Sequence, residues 1–587
     1  MMPPVQRTRR WNVAPPHPAT AELAAQLGVG PVVAQVLLNR GLGDPTLARQ
    51  FLAPRLGDLR DPGTMADMDR ALARLLDALG TGETIGIYGD YDVDGVTSMA
   101  LLSWTLESLG GRVARYIPRR LSDGYGLGER GLNELAAQGA QLVVAVDCGV
   151  TAHAEIAAAR ARGIDVIVVD HHTLAETLPP ACAVLNPRRP DCRFGFSDLA
   201  AVGVTFFLCV ALRRACREAD HGAASEFDLR QGLDLVALGT VADQVSLVDQ
   251  NRILVSAGLK EMANGQRIGL RALCEVAGVD PARAQSGRIA FQLGPRINAA
   301  GRLGDAMSAV ELLLTTDRDL ATRLARDLDD ANSQRREIER QVLDAASSAV
   351  DQAPEVPPVI VLADPNWHPG VVGIVAAKLC ERFNRPTLLI GSGGRGSGRS
   401  VPGFNLIAAL TEVRDRLLGF GGHEQAVGVR VDLAAVDGLR AALGARAAEL
   451  MPDPPPAAPL ELDAVLVGDQ LDLELAEALA TLAPHGRGNL EAAFALERVD
   501  FRSLAQVGNG HVRFVAQVDG RSVGGIGFGM APQLAAGAFA SGARLACVPE
   551  VDEWGAKKKL SLRAIDIIAP RDHARSHEEC AEGGSAP

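Results

Sequence analysis

Short apolar runs rich in β-branched residues alternate with stretches of helical period through the first half of the chain. TIGIYG reads as a strand, VTSMALLSWTLESLGG as a helix closed by Gly110 and Gly111, and RVARYI as a further strand. The alternation repeats through LVVAVD, TAHAEIAAARARG and DVIVVD. Strands separated by helices predict a parallel sheet, whose strand carboxyl ends share one edge where ligands bind. GLDLVALGTVADQVSL reads as an apolar helix with Asp243 just past its end. From Asp317 to Val350 the period is helical and the charge dense, and the stretch ends in the proline-bearing DQAPEVPP, as a connector between domains would.

A second α/β pattern runs from PVIVLAD to about Leu450. After MPDPPPAAPLELD come VDFRSLAQVG, HVRFVAQVDG, RSVGGIGFGM and KKLSLRAIDII, which predict a small antiparallel barrel of OB type. Such barrels often bind single strands, although a purely structural β domain has the same pattern. The expected class is therefore α/β multidomain. Its parts are a helical lead-in (1–70), a parallel-sheet catalytic domain (71–316), a connecting helix (317–352), a smaller α/β domain (353–452), the barrel (458–570) and a disordered tail (571–587).

Carboxylates follow three of the predicted strands: Asp90, Asp92 and Asp94, then Asp147, then Asp170 with His171 and His172. An Asp after a strand is often only a helix cap, and Asp-x-Asp-Gly also occurs in plain turns. Three such ends converging on one sheet edge are a different matter, because like charges held together call for a cation. Oxygen ligands with imidazole and no thiolate suit Mn²⁺ or Mg²⁺, and several aspartates favour two ions. Asp243 is placed to join them. In the second domain, GSGGRGSGRSVPGFN and GFGGHEQAVGV are glycine-rich enough to let backbone approach a phosphate, with Arg395, Ser397, Arg399 and His423 as anion contacts.

Composition adds limits. The chain is 587 residues long, 47% hydrophobic and 22% charged, enough for about three or four domains with substantial cores. It has no apolar span of about twenty residues, and MMPPVQRTRRWNVAPPHP lacks the apolar core of a secretory signal. A cytoplasmic location without a membrane partner is expected. The nine cysteines form no C-x-x-C pair and are read as reduced. A net charge of −12 argues against nucleic acid by its sum, but the arginines concentrate in the motifs (Arg119, Arg120, Arg296, Arg302, Arg395, Arg399), with Lys557, Lys558 and Lys559 in the barrel. A basic track on an acidic body is the expected picture. Trp367, Phe404 and Phe494 are assigned to cores rather than to base stacking.

The set DYDVDG, AVDCG, DHH and ADQVSL, followed by GPRINAAGR, NWHPGVVGIVAAKL, GSGRSVPGFN and GFGGHEQAVG, resembles the RecJ family of single-strand-specific 5′ exonucleases in the DHH phosphoesterase superfamily. The resemblance covers nearly the whole chain. It implies a DHH catalytic domain, a DHHA1 domain, and a C-terminal OB domain. It matches Asp92, Asp94, Asp147, His171 and Asp243 to the residues that hold two metal ions, with Asp90 as a ligand or partner. Asp170 would orient His171, and His172 would bond the scissile phosphate. Arg296, Asn298 and Arg302 match a substrate-contacting motif. Arg119 or Arg120, with Ser397 and Arg399, would hold the 5′-terminal phosphate, and His423 would contact phosphate from its loop. PHGRGNLEAAF departs from the family's PFGxGNPEPxF at His485 and Leu490.

The implied chemistry is two-metal phosphodiester hydrolysis with Asp147 shared between Mn²⁺ or Mg²⁺ ions, releasing 5′-mononucleotides from single-stranded DNA with a 5′ end in recombination and repair. A single-strand-binding protein and a DNA helicase are the implied working partners, and a monomer is the default state. Two rivals remain. A DHH phosphatase of short oligonucleotides or phosphoadenosine phosphate would not need the barrel. A non-catalytic replication scaffold of Cdc45 type would have lost the ligands, which here are all intact.

Overall fold

Five parallel strands carry the acidic segments. They are β1 (Thr84–Gly89), β2 (Arg112–Tyr116), β3 (Ala140–Val146), β4 (Asp165–Val169) and β5 (Ala183–Leu185), in the order β2-β1-β3-β4-β5. Their apolar runs are buried on both faces, which is why β1, β3 and β4 read as nearly continuous hydrophobic stretches. β1 pairs with β2 on one side and β3 on the other. The chain therefore leaves β1 and β3 in opposite directions, which opens a crevice at their carboxyl ends. Asp90 to Asp94 and Asp147 sit at those two ends.

The protein was analysed as a computed structural model describing residues 9–120, 123–124, 126–220, 222–452, 455, 458–553 and 557–570. The tail expected at 571–587 lies outside the described residues. The described residues fall into two units, one within Pro54–Pro456 with Pro484–Asn489, the other within Met1–Ala53, Ala457–Ala483 and Leu490–Pro587.

In the first unit, helices α1 (Val93–Ser108), α2 (Ala201–Glu218) and α3 (Leu233–Ala242) pack about the sheet. α3 is buried all round, and its one acidic residue inside the helix, Asp234, is neutralised by Arg267 at 2.8 Å. α4 (Gly294–Leu303) leads to α5 (Arg318–Asp351), the expected long connector, whose Asp317 cap accepts from the Asp319 and Leu320 amides. Beyond it, α6 (Pro369–Phe383) lies on a five-stranded sheet of β6 (Ile360–Ala363), β7 (Thr387–Ile390), β8 (Arg395–Arg399), β9 (Gly419–Gly422) and β10 (Ala426–Arg430), ordered β9-β10-β8-β7-β6.

In the second unit, β11 (Phe494–Val507), β12 (His511–Val518), β13 (Arg521–Gly527), β14 (Ala543–Asp552) and β15 (Lys559–Ile568) close into a barrel through the β11–β14 pairing. The barrel is not wholly antiparallel as the alternation suggested, because β13 and β15 run parallel. The lead-in also differs from expectation. The described residues up to Ala53 belong to this unit, where Leu23, Val33, Val36, Leu37 and Phe51 share a core with Phe494, Leu496 and Phe514. Trp11–Val13 pairs in parallel with Leu460–Leu462. An amphipathic helix shows in sequence that one face must be covered, not which distant strand covers it. Among the described residues no single helix is long and apolar enough to cross a membrane.

Candidate metal centre

The crevice between β1 and β3 gathers the predicted acids. Asp92 caps α1, its Oδ1 accepting from the Asp94 and Gly95 amides at 2.9 and 3.2 Å. Gly95 has to be glycine, since a Cβ there would stand 2.4 Å from the Asp90 carbonyl oxygen. Asp94 is held from across the fold by the N-terminus of α2, with Ala201 N–H donating to Oδ2 at 2.6 Å and Val202 N–H to Oδ1 at 2.8 Å. Asp147 has φ of 61°, an uncommon conformation for a residue with a side chain, and backbone strain of this kind concentrates at functional sites. Asp243 caps the C-terminal end of α3.

His171 stands among them. Its Nε2 is 3.4 Å from Asp147 Oδ1 and 3.8 Å from Asp94 Oδ2, and its Nδ1 is 3.7 Å from Asp243 Oδ2. Among the described residues, three sets of ligand atoms, each within 4.8 Å of one another, could hold cations: Asp90, Asp92 and Asp147; Asp94, His171 and Asp243; and Asp147, His171 and His172. Asp147 belongs to both the carboxylate set and a histidine set, as a bridging ligand would.

Electrostatics agree. Burial, then the charge of Asp92, lifts Asp94 to about 7. Burial, then Asp94 and Asp92, lifts Asp243 to about 9. Asp90 and Asp147 are raised well above the usual carboxylate range, again by burial and then by Asp92. Burial and the neighbouring His172 bring His171 down to about 4, so it is neutral and able to ligate. Asp90 Oδ1, Asp147 Oδ1 and His171 Nδ1 are buried without a hydrogen-bond partner. Orphaned acceptors on acids that repel one another fit a pair of divalent cations and fit no packing role.

The structure corrects the part given to Asp170. Its Oδ1 accepts from the His172 ring Nδ1 at 2.7 Å, so the ring it orients is that of His172, not that of His171, which it holds only through the backbone amide at 2.7 Å. Burial alone would raise Asp170 and lower His172, but their mutual bond and charge reverse both shifts.

A cationic group lies beside the acids. Arg302 donates to the Gly370 carbonyl at 2.9 Å, and burial, then Arg120 and Arg335, brings its pKa to about 10. Arg120 lies over the Tyr91 ring at 5.0 Å. Arg399 donates to Ser397 Oγ at 3.1 Å and is near enough to Arg120 to be disfavoured by its charge. Arg119 faces Asp305 instead, at 3.7 Å and well exposed.

Two members of GPRINAAGR make contacts within the fold. Arg296 is buried against Asp329 at 2.8 Å and the Gln292 carbonyl at 2.6 Å. Asn298 Oδ1 accepts from the Val93 amide at 3.2 Å, securing the acidic loop. Gly301 lets Tyr91 pack close, as a Cβ would stand 2.3 Å from its carbonyl oxygen. The glycine-rich segments read as phosphate-cradling loops carry strands β8 to β10 and the turns beside them. Gly396 and Gly398 are small because Val429, Leu406 and Val427 press on them. His423 is exposed on the β9–β10 turn, where its amide bonds the Ala426 carbonyl. Sequence reading missed the Ala201 and Val202 amides, which no residue-type signal announces.

A crevice at a parallel sheet's switch point, filled with buried aspartates and a neutral histidine and followed by a second α/β domain, defines the metal-dependent phosphoesterase class to which the sequence comparisons also point. Profiles of the DHH family N-terminal domain, the DHHA1 domain and the RecJ OB domain match residues 84–240, 357–449 and 462–566. The single-stranded-DNA-specific exonuclease RecJ of Bacillus subtilis (strain 168) is 35% identical over 95% of this chain and 70% of its own length. That of Escherichia coli (strain K12) is 34% identical over 94% of this chain and 97% of its own. The crystal structure of RecJ in complex with Mn²⁺ from Thermus thermophilus superposes with a TM-score of 0.82 at 32% identity, covering 96% of this chain and 80% of that one. A second structure from that organism is a complex with Mg²⁺. The chain belongs to the RecJ family of single-stranded-DNA-specific exonucleases.

Proposed function

We propose that this protein is a metal-dependent exodeoxyribonuclease that degrades single-stranded DNA from its 5′ end. The observation that carries the reading is Asp147, shared between two ligand sets and buried with an unpartnered oxygen, in a cluster whose Asp90 feels the charge of Arg120 and whose Asp92 faces Arg302. Mn²⁺ or Mg²⁺ held by Asp90, Asp92, Asp94, Asp147, His171 and Asp243 would activate water and neutralise charge on the phosphate.

The chain's own residues do the rest. His172, its Nδ1 proton committed to Asp170 and its charged form favoured by that carboxylate, would as imidazolium donate Nε2–H to the scissile phosphate. Arg120, Arg302 and Arg399, with Ser397, form a cationic face suited to a terminal 5′ phosphate, and this face is what supports the polarity. Arg119 is the weaker of the two arginine candidates, since Asp305 already engages it. His423, exposed on its turn, is suited to follow a substrate phosphate. The retained ligands disfavour a non-catalytic scaffold, and the barrel disfavours a small-substrate phosphatase. Action in the cytoplasm as a monomer, beside a single-strand-binding protein and a helicase, completes the reading.

The experiment is Mn²⁺-dependent release of label from single-stranded DNA marked at either end, with the matching duplex and Asp147→Ala as controls. Early loss of the 5′ label from single strands only, with the variant inactive, is expected. Cleavage of dinucleotides or phosphoadenosine phosphate with long strands left intact would replace the proposal with the small-substrate enzyme.

A further inference from the structure

The segment Pro484–Asn489 packs in the catalytic unit although the chain on both sides of it belongs to the other unit. It is part of PHGRGNLEAAF, a motif to which the catalytic reading gives no work. The segment folds back on itself through paired bonds between Gly486 and Asn489, at 2.9 and 3.0 Å, and Asn489 Nδ2 donates to the Pro484 carbonyl at 2.8 Å. Ser286 Oγ donates to the His485 carbonyl, and the buried Arg252 reaches the Pro484 carbonyl at 3.4 Å.

Its target is the loop that follows Asp243. The Leu247 amide donates to the Arg487 carbonyl at 2.7 Å. Both glycines lie against this loop, since a Cβ on Gly486 would stand 2.7 Å from Leu247 Cδ1 and one on Gly488 2.8 Å from Ser246 Cβ, with Gly488 at φ +73°. The loop is strained, with Gln244 at φ 60°, so it needs outside support. From the other side Asp198 accepts from Ser246 N–H at 3.0 Å, and Asn251 Nδ2 ties the Asp198 carbonyl at 2.6 Å to the Ser246 carbonyl at 2.9 Å. Asp198 lies just ahead of α2, whose amides hold Asp94.

We propose that Pro484–Asn489 is a positioning clamp for Asp243, fixing the Gln244–Val248 loop so that the Asp94, His171 and Asp243 set can take its cation. Gly486 and Gly488 are its positioning residues. The proposal rests on the metal reading given above.

The test is Mn²⁺ binding by calorimetry on the full-length chain, wild type against Gly488→Ala and Gly486→Ala, with melting of each metal-free protein. The expected result is one Mn²⁺ equivalent weakened about tenfold or more, as for lost support around a ligand, with the other equivalent and the metal-free melting temperature preserved. Wild-type affinity at both equivalents would overturn the proposal. So would parallel loss of both equivalents and of the melting transition, which marks a general structural role. If Gly488→Ala does not fold, Gly486→Ala decides alone, because its Cβ meets the Leu247 side chain rather than backbone and its φ is not left-handed. Absence of Mn²⁺ binding by the wild-type chain would overturn the metal reading itself, and the clamp with it.

Discussion

His172 Nδ1 lies 2.7 Å from Asp170 Oδ1, and the same oxygen receives the backbone N–H groups of His171 and His172 at 2.7 and 3.0 Å. An ionised carboxylate only accepts, so Nδ1 carries the proton and the ring is fixed in one orientation. Asp170→Ala is expected to lower kcat about 10- to 100-fold, as removal of an orienting partner does, while Mn²⁺ affinity changes much less. Steady-state kinetics beside Mn²⁺ titration checks this. An unchanged kcat would show that the orientation of His172 is not used.

Asp147 is a buried acid among like charges, with one oxygen unpartnered. Asp147→Asn removes a carboxyl that the metal-free fold must either protonate or hold charged among like charges, so the metal-free variant is expected to melt higher than the metal-free wild type. Mn²⁺ at about 100 times its dissociation constant should stabilise the wild type by about 2.7 kcal/mol and the variant by far less. Differential scanning calorimetry with and without Mn²⁺ reads both effects. A variant less stable than the wild type in the absence of metal would refute the repulsion argument.

The raised carboxyls fix a pH dependence. Asp94 at about 7 and Asp243 at about 9 hold protons in the folded chain that they would lose when unfolded. The native state thus binds more protons than the unfolded one from the ordinary carboxylate range up to these values, and metal-free stability should fall as pH rises through that window. Metal binding displaces the same protons, so Mn²⁺ affinity should rise from about pH 6 to about pH 8.5. Calorimetry in buffers of different ionisation enthalpy counts the protons released. A pH-independent affinity without release would contradict the assignment.

Arg399 separates phosphate recognition from chemistry. Arg399→Ala is expected to raise KM for 5′-phosphorylated strands about tenfold, near 1.4 kcal/mol, and to leave a 5′-hydroxyl strand little affected. Equal losses on both substrates would place the terminal phosphate elsewhere.

Asn298 distinguishes a structural from a substrate role. If its bond to the Val93 amide is its work, Asn298→Ala should cost about 1 kcal/mol of stability and leave KM near the wild-type value. A large rise in KM with unchanged melting would restore the substrate-contacting role.

Much of this site was legible along the chain. Asp90 to Asp94, Asp147 and Asp170 to His172 each follow an uninterrupted apolar run, and strands in a parallel sheet must present their ends along one edge. Asp243 was legible as the residue that ends an apolar helix. Side-chain partners were not. Asp170 stands next to both histidines, and only the backbone path after β4 decides that its oxygen meets the His172 ring. Gly396 and Gly398 looked like part of a phosphate loop because composition cannot distinguish absent side chains that admit a ligand from those that admit neighbours such as Val429, Leu406 and Val427.

The order of residues along the chain was enough to set the donor chemistry: hard oxygen ligands and imidazole at the ends of successive elements, with a glycine-rich domain and a barrel to follow. Which backbone groups complete the site came from folding alone. The Ala201 and Val202 amides that hold Asp94, and the Arg487 carbonyl that holds the loop after Asp243, act through main-chain atoms. Every residue except proline bears the same amide and every residue the same carbonyl, so their use leaves no mark in residue type and is set by where the chain is folded.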